Sequence, residues 1–413
     1  MQGPPIVTCD LDLGGFGPLA DLRPPSEFRT GVFTSAERFA RALGRPVVAR
    51  LVPEGLAPVV AERWGHANTL PDGDDFLLVD ATCPMHAMGP QPELELPPRG
   101  AFIAAGRVVS ARCGRKDLET LRREGLAAFR STLTVAETSV TPIDRPWRIL
   151  DGLGTAIAGD IHWLLGQAGA LGFDVGPARV RAAGGASMGD APILVHASAT
   201  LAPFTCIDAS GGPVLIGPNV TVRPFATLVG PCCILDGSTV AERALVKANT
   251  SIGPGCRVGG EVGGSVFQGY SNKAHDGHLG DSIIGEWVNL GAGTDNSNLL
   301  NIYGEVTVRL ASDLPRERTG RMFCGSFLAD HAKFAIGTRL MTGTAVGTGA
   351  LVASSAAPDT TVDRFAWITD EGERRYRLAK FLDVARTVMA RRGVTPGPAY
   401  LDRLAMLHGG DGA

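Results

Sequence analysis

The chain has 413 residues, enough for two or three domains that each bury a hydrophobic core. Its net charge of −3 argues against nucleic acid or an anionic membrane as the main partner, and no apolar run approaches the roughly 20 residues that span a bilayer. Because the first residues, MQGPPIVTCDLD, lack a basic segment followed by an apolar one, we expect a cytoplasmic protein.

The eight cysteines have no spacing typical of a zinc site or of a disulfide framework. None belongs to a CxxC pair, and several fall among aliphatic residues, where cysteine acts as a small buried hydrophobic residue. We therefore predict neither kind of site.

Residues 1–140 have the mixed pattern of an α/β domain. Strands are predicted at Pro46–Leu51, Phe76–Val79 and Phe102–Ser110, and helices at Ala36–Leu43 and Leu118–Phe129. The next segment, 141–188, changes character and is predicted to be a connecting arm that contains a helix.

The most informative pattern is a branched aliphatic residue at every sixth position between Ile216 and Val258. The series is Ile216, Val222, Leu228, Ile234, Val240, Val246, Ile252 and Val258. Neither an α-helix nor a β-strand has a period of six, so the repeating unit must be larger. Hexapeptide spacing is typical of a parallel β-helix, whose coils stack aliphatic residues above one another.

We assign residues 189–362 to a left-handed parallel β-helix. The hexads start near Val195, are interrupted between Gly259 and His278, and give way to a non-repetitive loop over Asn296–Arg321. The period is lost beyond residue 355, and residues 363–413 are predicted to form a helical cap whose main helix covers Leu378–Met389.

Polar and glycine residues concentrate at 269–304, directly after the unbroken ladder. The candidate site residues there are Lys273, His275, His278, Asn289, Gly291, Ala292, Gly293, Thr294, Asn296 and Asn298. Such residues have no packing rationale in a fold built from aliphatic ladders, so they indicate a functional site. Histidine is the usual general base near neutral pH, and small residues allow a ligand to approach the backbone.

This segment resembles the acetyltransferase domain of the bifunctional bacterial enzyme that makes UDP-N-acetylglucosamine from glucosamine 1-phosphate. That family carries the pattern His-x(9)-Gly-x(3)-Asn-x-Gly-Ala-Gly-Thr. The positions that match it without a gap are His275, Gly285, Asn289, Gly291, Ala292, Gly293 and Thr294. A second family asparagine corresponds to Asn298, and a Gly-Ser pair that contacts acetyl-CoA corresponds to Gly325-Ser326.

A closer resemblance, over nearly the whole chain, is to the GlmU-like sugar nucleotidyltransferase/acyltransferase family. The matching segments are PLADLRPPSEFRTGVFT, RPWRILDGLGTAI, GYSNKAHDGHLG, GEWVNLGAGTDNSN and FLADHAKFAIGT. Five motifs of this length in the same order make the resemblance specific.

The resemblance implies acetyl-CoA-dependent N-acetylation of an amino-sugar phosphate similar to glucosamine 1-phosphate. His275 would take a proton from the sugar ammonium, and Asn289 and Asn298 would hold sugar hydroxyls. Lys273 or Arg309 would meet the phosphate. Because such enzymes are trimers with each site between two prisms, a homotrimer is expected.

The implied acyl-donor contacts are Gly291, Ala292, Gly293, Thr294 and Ser326. Lys333, next to Asp330 and His331, either approaches the acyl donor or lines an exposed coil edge. In one departure from the family, His278 occupies the position of a tyrosine that binds the sugar phosphate, which makes His278 a structural residue or a substrate contact.

Sugar nucleotidyltransferases open with a strand, a glycine-rich loop, a Thr-Arg pair and a lysine. This chain keeps Gly14, Gly15 and Gly17 but lacks the Thr-Arg pair and the lysine, and Arg23 and Arg29 are the candidates to replace those charges. An ordinary strand-to-helix turn is the alternative that we favour for the glycines.

Asp80 ends the run FLLVD and is the candidate ligand for Mg²⁺ at the edge of an α/β sheet. An active N-terminal domain would then use Mg²⁺ with UTP or dTTP to form a nucleotide sugar.

Three alternatives stay open at this point. In the first, the protein is a sugar-1-phosphate nucleotidyltransferase whose β-helix serves for oligomerisation. In the second, it is a non-enzymatic scaffold or a sugar-nucleotide sensor. A zinc site made by His275, His278 and His331 is disfavoured, because their spacing does not match the γ-type carbonic anhydrases that share the prism.

Overall fold

The computed structural model describes residues 3–80, 82–83, 94–104 and 106–409. It divides into two compact units. The first comprises the described residues up to Gly15 together with Leu22–Phe28 and Phe33–Arg145. The second comprises Phe16–Asp21, Arg29–Val32 and the described residues from Pro146 onward.

The first unit is a six-stranded mixed sheet flanked by helices, in agreement with the predicted α/β domain. Its strands are β1 (Ile6–Cys9), β2 (Val47–Leu51), β3 (Phe76–Asp80), β4 (Gly100–Ala104), β5 (Arg107–Cys113) and β6 (Thr134–Glu137), in the spatial order β2-β1-β3-β5-β4-β6. Its helices are α1 (Ser35–Leu43), α2 (Ala57–Trp64), α3 (Arg115–Glu124) and α4 (Leu126–Ser131).

Both faces of this sheet are buried, because successive residues of its central strands belong to different apolar clusters. Val7 and Leu78 lie in one cluster, whereas Ile6 and Leu77 lie in the other. Strands β1, β2 and β3 are parallel, so their carboxyl ends meet at one edge of the sheet.

Two elements of the first unit differ from the sequence-based prediction, in each case at a glycine. The single strand predicted over Phe102–Ser110 is a pair of antiparallel strands, and Gly106 between them has a φ of 82°. The single helix predicted over Leu118–Phe129 is divided into α3 and α4 by Gly125, whose φ is 86°. A left-handed residue ends a regular element, and glycine adopts it without steric cost.

The second unit begins with helices and continues as a β-solenoid. The helices are α5 (Pro146–Asp151), α6 (Leu153–Leu165) and α7 (Ala178–Ala182). The strands up to the functional segment are β7 (Phe173–Val175), β8 (Ala186–Met188), β9 (Ile193–His196), β10 (Thr200–Leu201), β11 (Cys206–Asp208), β12 (Val214–Ile216), β13 (Thr221–Val222), β14 (Thr227–Val229), β15 (Cys232–Ile234), β16 (Thr239–Val240), β17 (Leu245–Val246), β18 (Thr250–Ile252), β19 (Arg257–Val258), β20 (Glu261–Gly263), β21 (Val266–Gly269), β22 (Asn272–Lys273), β23 (His278–Gly280) and β24 (Ile283–Glu286).

The remaining elements complete the solenoid and its C-terminal helices. They are β25 (Asp295–Asn296), β26 (Thr307–Val308), β27 (Glu317–Arg318), β28 (Phe327–Leu328), β29 (Lys333–Phe334), β30 (Arg339–Leu340), β31 (Ala345–Val346), β32 (Leu351–Ala353), β33 (Thr361–Val362), β34 (Ala366–Thr369), β35 (Gly372–Arg375), α8 (Leu378–Ala390) and α9 (Pro398–His408). Among the helices within the described ranges, none is both long and apolar enough to cross a bilayer.

The hexapeptide ladder forms the interior of the solenoid, as predicted. Three parallel sheets make its sides, in the orders β10-β13-β16-β19-β22, β23-β20-β17-β14-β11-β8 and β33-β31-β28-β24-β21-β18-β15-β12-β9. Val222 pairs with Val240, which pairs with Val258, and all three are fully buried. Every third hexad therefore returns to the same side of the prism.

The coils extend further than the six-residue period that was used to predict them. The period is interrupted between Gly259 and His278, but the stacking is not, because shorter coils pair Ile252 with Phe267 and Phe267 with Ile284. The loop over Asn296–Arg321 contains an antiparallel ribbon of β26 and β27. The coils also continue beyond residue 355, where β33 pairs with β31 and β34 with β32.

Candidate functional site

His275 lies at a corner of the solenoid, in the segment that joins β22 to β23. Its side chain and that of Asp276 are exposed to solvent. Gly277 completes the corner with a φ of 105°, and a Cβ at this position would lie 2.3 Å from the carbonyl oxygen of Thr294. The tight stacking of coils therefore requires glycine here and holds the histidine outward.

The Lys273 side chain occupies an interior ladder position that aliphatic residues fill on neighbouring coils. Lys273 pairs with Val258 in β19, and its side chain is 1% exposed. Its Nζ donates to the carbonyl oxygens of His275 at 2.8 Å and Asp276 at 2.7 Å, and more weakly to that of Gly259 at 3.4 Å. Burial lowers the pKa of Lys273 to about 8.

This position corrects the expectation that Lys273 meets the sugar phosphate. The ammonium points into the prism and is held by backbone carbonyls rather than facing solvent. Lys273 instead fixes the backbone of the corner that carries His275.

Asn296 is a second polar residue in an interior ladder position. It pairs with Leu340 and is 5% exposed. Its Oδ1 accepts from the Gly280 N–H at 2.8 Å, while its Nδ2 donates to the Gly280 carbonyl at 3.0 Å and to Ser282 Oγ at 3.1 Å. These bonds satisfy the buried amide and tie the coil after His275 to the next one.

His278 faces a carboxylate from the preceding coil. Its Nδ1 lies 3.4 Å from Glu261 Oε1, and the same oxygen accepts from Lys247 Nζ at 2.8 Å. The hydrogen bond from Lys247 is the main cause of the lowered pKa of Glu261. Three successive coils thus present a cation, a carboxylate and an imidazole along one side of the prism.

The backbone N–H of His278 donates to the carboxylate of Asp295 on the following coil. Asp276, Glu261 and Asp295 therefore concentrate negative charge around the His275 corner. An ammonium group is the kind of substrate moiety that such a surface attracts.

The Gly291–Thr294 run forms a corner that stacks on the coil of β29. A Cβ at Gly291 would lie 2.5 Å from the carbonyl carbon of Ala335, and Gly293 has a φ of 66°. The hydroxyl of Thr294 turns inward and donates to the Gly291 carbonyl at 2.7 Å. Gly291, Ala292 and Gly293 remain partly exposed, so only their backbone edge is open to a ligand.

Asn298 belongs to a polar cluster at the base of the ribbon insertion. Its Nδ2 donates to Asp281 Oδ2 at 2.8 Å, and Asp281 also pairs with Arg321 at 3.4 Å. Asn298 is half-buried, and its amide is already engaged by that carboxylate.

Two residues that were expected to contact a ligand are either buried or hydrogen-bonded within their own loop. Ser326 is fully buried, and its backbone N–H donates to Ser282 Oγ at 2.8 Å. Arg309 donates to the carbonyl oxygens of Leu314, at 3.0 Å, and Ser312 within the insertion. The ligand contacts of both residues stay predictions.

Asn289 and Lys333 line a groove along the outer face of the solenoid. Asn289 forms parallel bridges to Asn272 on one side and to Lys333 on the other, so the three residues lie on successive coils. Lys333 is half-buried and donates to the Trp287 carbonyl. His275 does not line this groove.

In the first unit, Asp80 lies at the carboxyl end of β3, as predicted. Its Oδ1 accepts from the Thr82 N–H at 2.8 Å and from Thr82 Oγ1 at 2.6 Å, and its Oδ2 pairs with Arg107 at 3.2 Å. Asp10 follows β1 at the same edge of the sheet, and both carboxylates line a cavity of about 290 Å³.

Asp10 is buried and accepts from the Ser26 N–H at 2.8 Å. Burial raises the pKa of Asp10 to about 7, against the opposing effect of the Ser26 hydrogen bonds. Its second oxygen has no hydrogen-bond partner among the described residues. Packing alone does not explain this buried carboxylate oxygen.

The arrangement around Asp80 does not fit a bound Mg²⁺. Among the residues that the structure describes, no three His, Cys, Asp or Glu side chains are close enough together to hold a metal ion. Both oxygens of Asp80 are occupied by Thr82 and Arg107. We therefore derive no step through a metal in this unit.

Close packing explains the presence of glycine in the N-terminal loop. A Cβ at Gly15 would lie 1.8 Å from the Asp144 carbonyl oxygen, and at Gly17, where φ is 52°, it would lie 2.9 Å from Leu310 Cβ. Gly14 begins the same 3₁₀ segment. These contacts favour the ordinary turn over a phosphate-binding loop.

The two arginines considered as replacements for the missing charges lie in different units. Arg23 is buried in the first unit, at 3% exposure. Arg29 belongs to the second unit, where its backbone N–H donates to Gln268 Oε1 at 2.7 Å and its guanidinium donates to the Val32 carbonyl.

Sequence reasoning missed Lys247 and Glu261 in the solenoid and Asp10 and Arg107 in the first unit. The first pair meets His278 only because coils of unequal length bring these residues to one side. Asp10 could have been identified from the sequence, because it stands at the end of a buried apolar strand just as Asp80 does.

Comparison with known proteins gives partial matches to the chain. Residues 8–168 match the family described as "Sugar nucleotidyl transferase". The "Bifunctional protein GlmU" of Rippkaea orientalis is 38% identical over 85 residues, which is 20% of this chain and 18% of that protein. The "Bifunctional sugar-1-phosphate nucleotidylyltransferase/acetyltransferase" of Sulfurisphaera tokodaii is 30% identical over 131 residues, or 32% of this chain and 27% of that protein.

Among solved structures, the UDP-N-acetylglucosamine acyltransferase of Francisella novicida is 19% identical, with a TM-score of 0.27, and the match covers 49% of this chain and 73% of that one. The chain spans about a fifth of the length of the Rippkaea orientalis protein and about a quarter of the length of the Sulfurisphaera tokodaii protein. Residues 8–168 thus match a sugar nucleotidyl transferase family, and parts of the chain are similar to proteins named as bifunctional GlmU.

Proposed function

We propose that the solenoid catalyses acetyl-CoA-dependent N-acetylation of an amino-sugar phosphate similar to glucosamine 1-phosphate. The observation that carries this proposal is the exposed His275 on a corner rich in carboxylates, within a motif that matches acetyltransferases without a gap. The partial similarity to proteins named as bifunctional nucleotidylyltransferase/acetyltransferases supports the same activity.

The proposed reaction needs one base and one electrophile. His275 removes a proton from the substrate ammonium, and the freed amine attacks the thioester carbonyl of acetyl-CoA. The nitrogen of the tetrahedral intermediate loses its second proton to solvent, the intermediate collapses, the C–S bond breaks, and the sulfur leaves as the thiolate of coenzyme A. The thiolate takes up the proton held by the imidazolium of His275, so the base is regenerated and the thiol is released.

The charges around His275 suit the two ends of the substrate. Glu261, Asp276 and Asp295 are the candidates to hold the ammonium before it loses its proton. Lys247 is an exposed cation on the same side of the prism and replaces Lys273 as our candidate for the sugar phosphate.

The expected assembly is a homotrimer, in which the acyl donor lies along the backbone edge at Gly291–Gly293 next to a neighbouring prism. Because acetyl-CoA and nucleotide precursors are metabolites of the cytoplasm, the proposed reaction also places the protein there.

A substrate panel tests the proposal. The full chain is incubated with acetyl-CoA and a set of amino-sugar phosphates, the free thiol is measured, and the N-acetylated product is identified by mass spectrometry. We expect thiol release that depends on the amine and matches the product one to one. Release that is equal with N-acetylated sugars, which have no free amine, would contradict the proposal.

Nucleotidyl transfer by the first unit is the second candidate. The family match over residues 8–168 and the unpartnered oxygen of buried Asp10 favour it. The missing Thr-Arg pair and lysine, together with the packing roles of Gly15 and Gly17, count against it. The corresponding substrates would be UTP or dTTP with a sugar 1-phosphate.

A further inference from the structure

A groove with four cationic side chains runs along the solenoid under helix α8. Its floor is a column of outward-facing residues on five successive coils, and its volume is about 520 Å³. The column consists of Arg257, Asn272, Asn289, Lys333 and Leu351, each paired with the next.

The walls of the groove come from α8 and from a stack of aromatic corner residues. Val384 and Val388 lie four residues apart on α8, and Arg391 and Arg392 continue the same face beyond its last turn. On the opposite side Tyr270 and Trp287 stack with ring centroids 4.4 Å apart. Both adopt left-handed backbone angles, so these corners are held by packing in a conformation that bulky residues rarely take.

The groove has more positive than negative charge. None of the described residues that line it is Asp or Glu, and Arg257 and Arg391 make no side-chain hydrogen bond or ion pair with any described residue. Arg392 donates to Asn272 Oδ1 at 2.6 Å. Burial, and then the neighbouring Arg257 and Arg391, lower the pKa of Arg392.

Burial also lowers the pKa of Lys333 to about 7, so this amine loses part of its charge unless an anion is nearby. Asp330 opposes this effect on Lys333. Burial, and then Glu286 and Asp236, raise the pKa of Tyr270, and none of these three carboxylates lines the groove.

Favourable interaction with the α8 C-terminus accounts for part of this arrangement. Cations near the last turn of a helix are stabilised by its exposed carbonyl groups, and this applies to Arg391 and Arg392. It does not apply to Arg257 and Lys333, which lie on the solenoid and converge on the same space.

We propose that this groove, whose lining does not include His275, binds a small phosphate-bearing molecule other than the acyl donor. Guanidinium groups bind phosphate through paired charge-assisted hydrogen bonds, and Asn272 and Asn289 offer amides to hydroxyl groups beside it. The volume lies in the range of sites for metabolites, from a sugar phosphate to a nucleoside diphosphate. The proposal does not depend on acetyl transfer.

Calorimetric titration of the full chain at low salt tests this site. The probes are inorganic pyrophosphate, UDP and coenzyme A, and the variants are R391Q/R392Q on the helix and R257Q on the solenoid. Arg386→Gln is the matched control, because Arg386 is exposed on α8 and pairs with Asp383 rather than lining the groove. Thermal unfolding of each variant checks that it is folded.

We expect pyrophosphate or UDP to bind the parent chain and to bind R391Q/R392Q and R257Q at least tenfold more weakly, with R386Q unchanged. Equal affinity for the parent and both groove variants would overturn the proposal, as would no binding of any probe. Binding of coenzyme A alone, lost in the groove variants, would also overturn it, because the groove would then belong to the acyl donor.

Discussion

At the scale of single residues, the solenoid departs from its aliphatic ladder at two neighbouring positions. Lys273 and Asn296 fill interior places where other coils have valine, leucine or isoleucine. A buried ammonium is costly unless it is hydrogen-bonded, and Lys273 meets that condition by binding the carbonyls of His275 and Asp276. We infer that Lys273 is a positioning residue, which shapes the corner that carries His275.

Replacing Lys273 with methionine tests this role. Lys273→Met keeps the length of the side chain but leaves buried carbonyl oxygens without a donor, so we expect the free energy of unfolding to fall by about 1–3 kcal/mol. Urea denaturation measures the change, and Lys380→Met, at an exposed position of α8, is the control. An unchanged stability would show that the three carbonyl contacts contribute nothing net.

The same lysine predicts a dependence of stability on pH. Its pKa is lowered to about 8 in the folded state, whereas a free lysine has a pKa of about 10.4. Between these values the unfolded chain binds more protons, so the contribution of Lys273 to stability rises with pH from about 8 to about 10.4 and is constant at lower pH, where both states are protonated. We therefore expect the stability difference between the parent chain and Lys273→Met to grow in favour of the parent above pH 8. A difference that is flat between pH 7 and pH 10 would contradict this assignment.

At the scale of elements, the stability of each coil comes from its interior side chains. Ile234 pairs with Ile216 and Ile252 on the adjacent coils and is fully buried. Ile336 has the same side chain but is 78% exposed at a later corner. The two positions therefore have the same residue type and differ in burial, within one solenoid.

Truncating both isoleucines gives a matched comparison. Ile234→Ala should lower the apparent free energy of unfolding by about 2–5 kcal/mol, because it removes buried methyl groups and leaves a cavity. Ile336→Ala should change it by less than about 0.5 kcal/mol. Chemical denaturation followed by circular dichroism measures both, and similar losses at the two sites would argue against the ladder as the stabilising core.

The ladder was also the part of the fold that could be predicted, for a physical reason. Val222, Val240 and Val258 are equally spaced in the sequence, and they also stack directly on one another in successive coils. The sequence period therefore reports the stacking directly. Where the coils shorten, as between Ile252 and Phe267, the stacking persists although the period does not. The pairing of Lys247, Glu261 and His278 depends on those coil lengths, so it could not be read from the order of residues.

Turns and helix ends could likewise not be predicted from the apolar pattern of the sequence. Gly106 and Gly125 each divide an element that the apolar pattern presents as continuous. Helix α9 was not predicted separately, since its apolar face merges in the sequence with the tail of the helical cap. The exposed position of His275, by contrast, agrees with the role that its motif implies.

At the scale of the whole molecule, the chain combines a region that matches a sugar nucleotidyl transferase family with a β-solenoid whose best-supported site lies at His275. Each unit has its own core, so the two candidate activities can be tested independently.

Nucleotidyl transfer is tested by pyrophosphate release from UTP or dTTP with sugar 1-phosphates in the presence of Mg²⁺. If the first unit is active, Asp10→Asn should reduce release at least tenfold, because the buried carboxylate faces the cavity without a second partner. Acetyl transfer by the same variant is the control for folding. No release above the blank from the parent chain would assign the first unit a non-catalytic role.

The central claim is that His275 is the base in acetyl transfer, and its direct test is the kcat/KM of His275→Ala for the best amino-sugar phosphate of the panel. Loss of a general base typically costs about 10²–10⁴-fold, so we predict a decrease of that size. His162→Ala is the matched control, since His162 is an exposed histidine on α6 that bonds only to the carbonyl of Ala158 among the described residues, and it should retain the parent value. A His275→Ala variant that is folded and as active as the His162→Ala control would contradict the account.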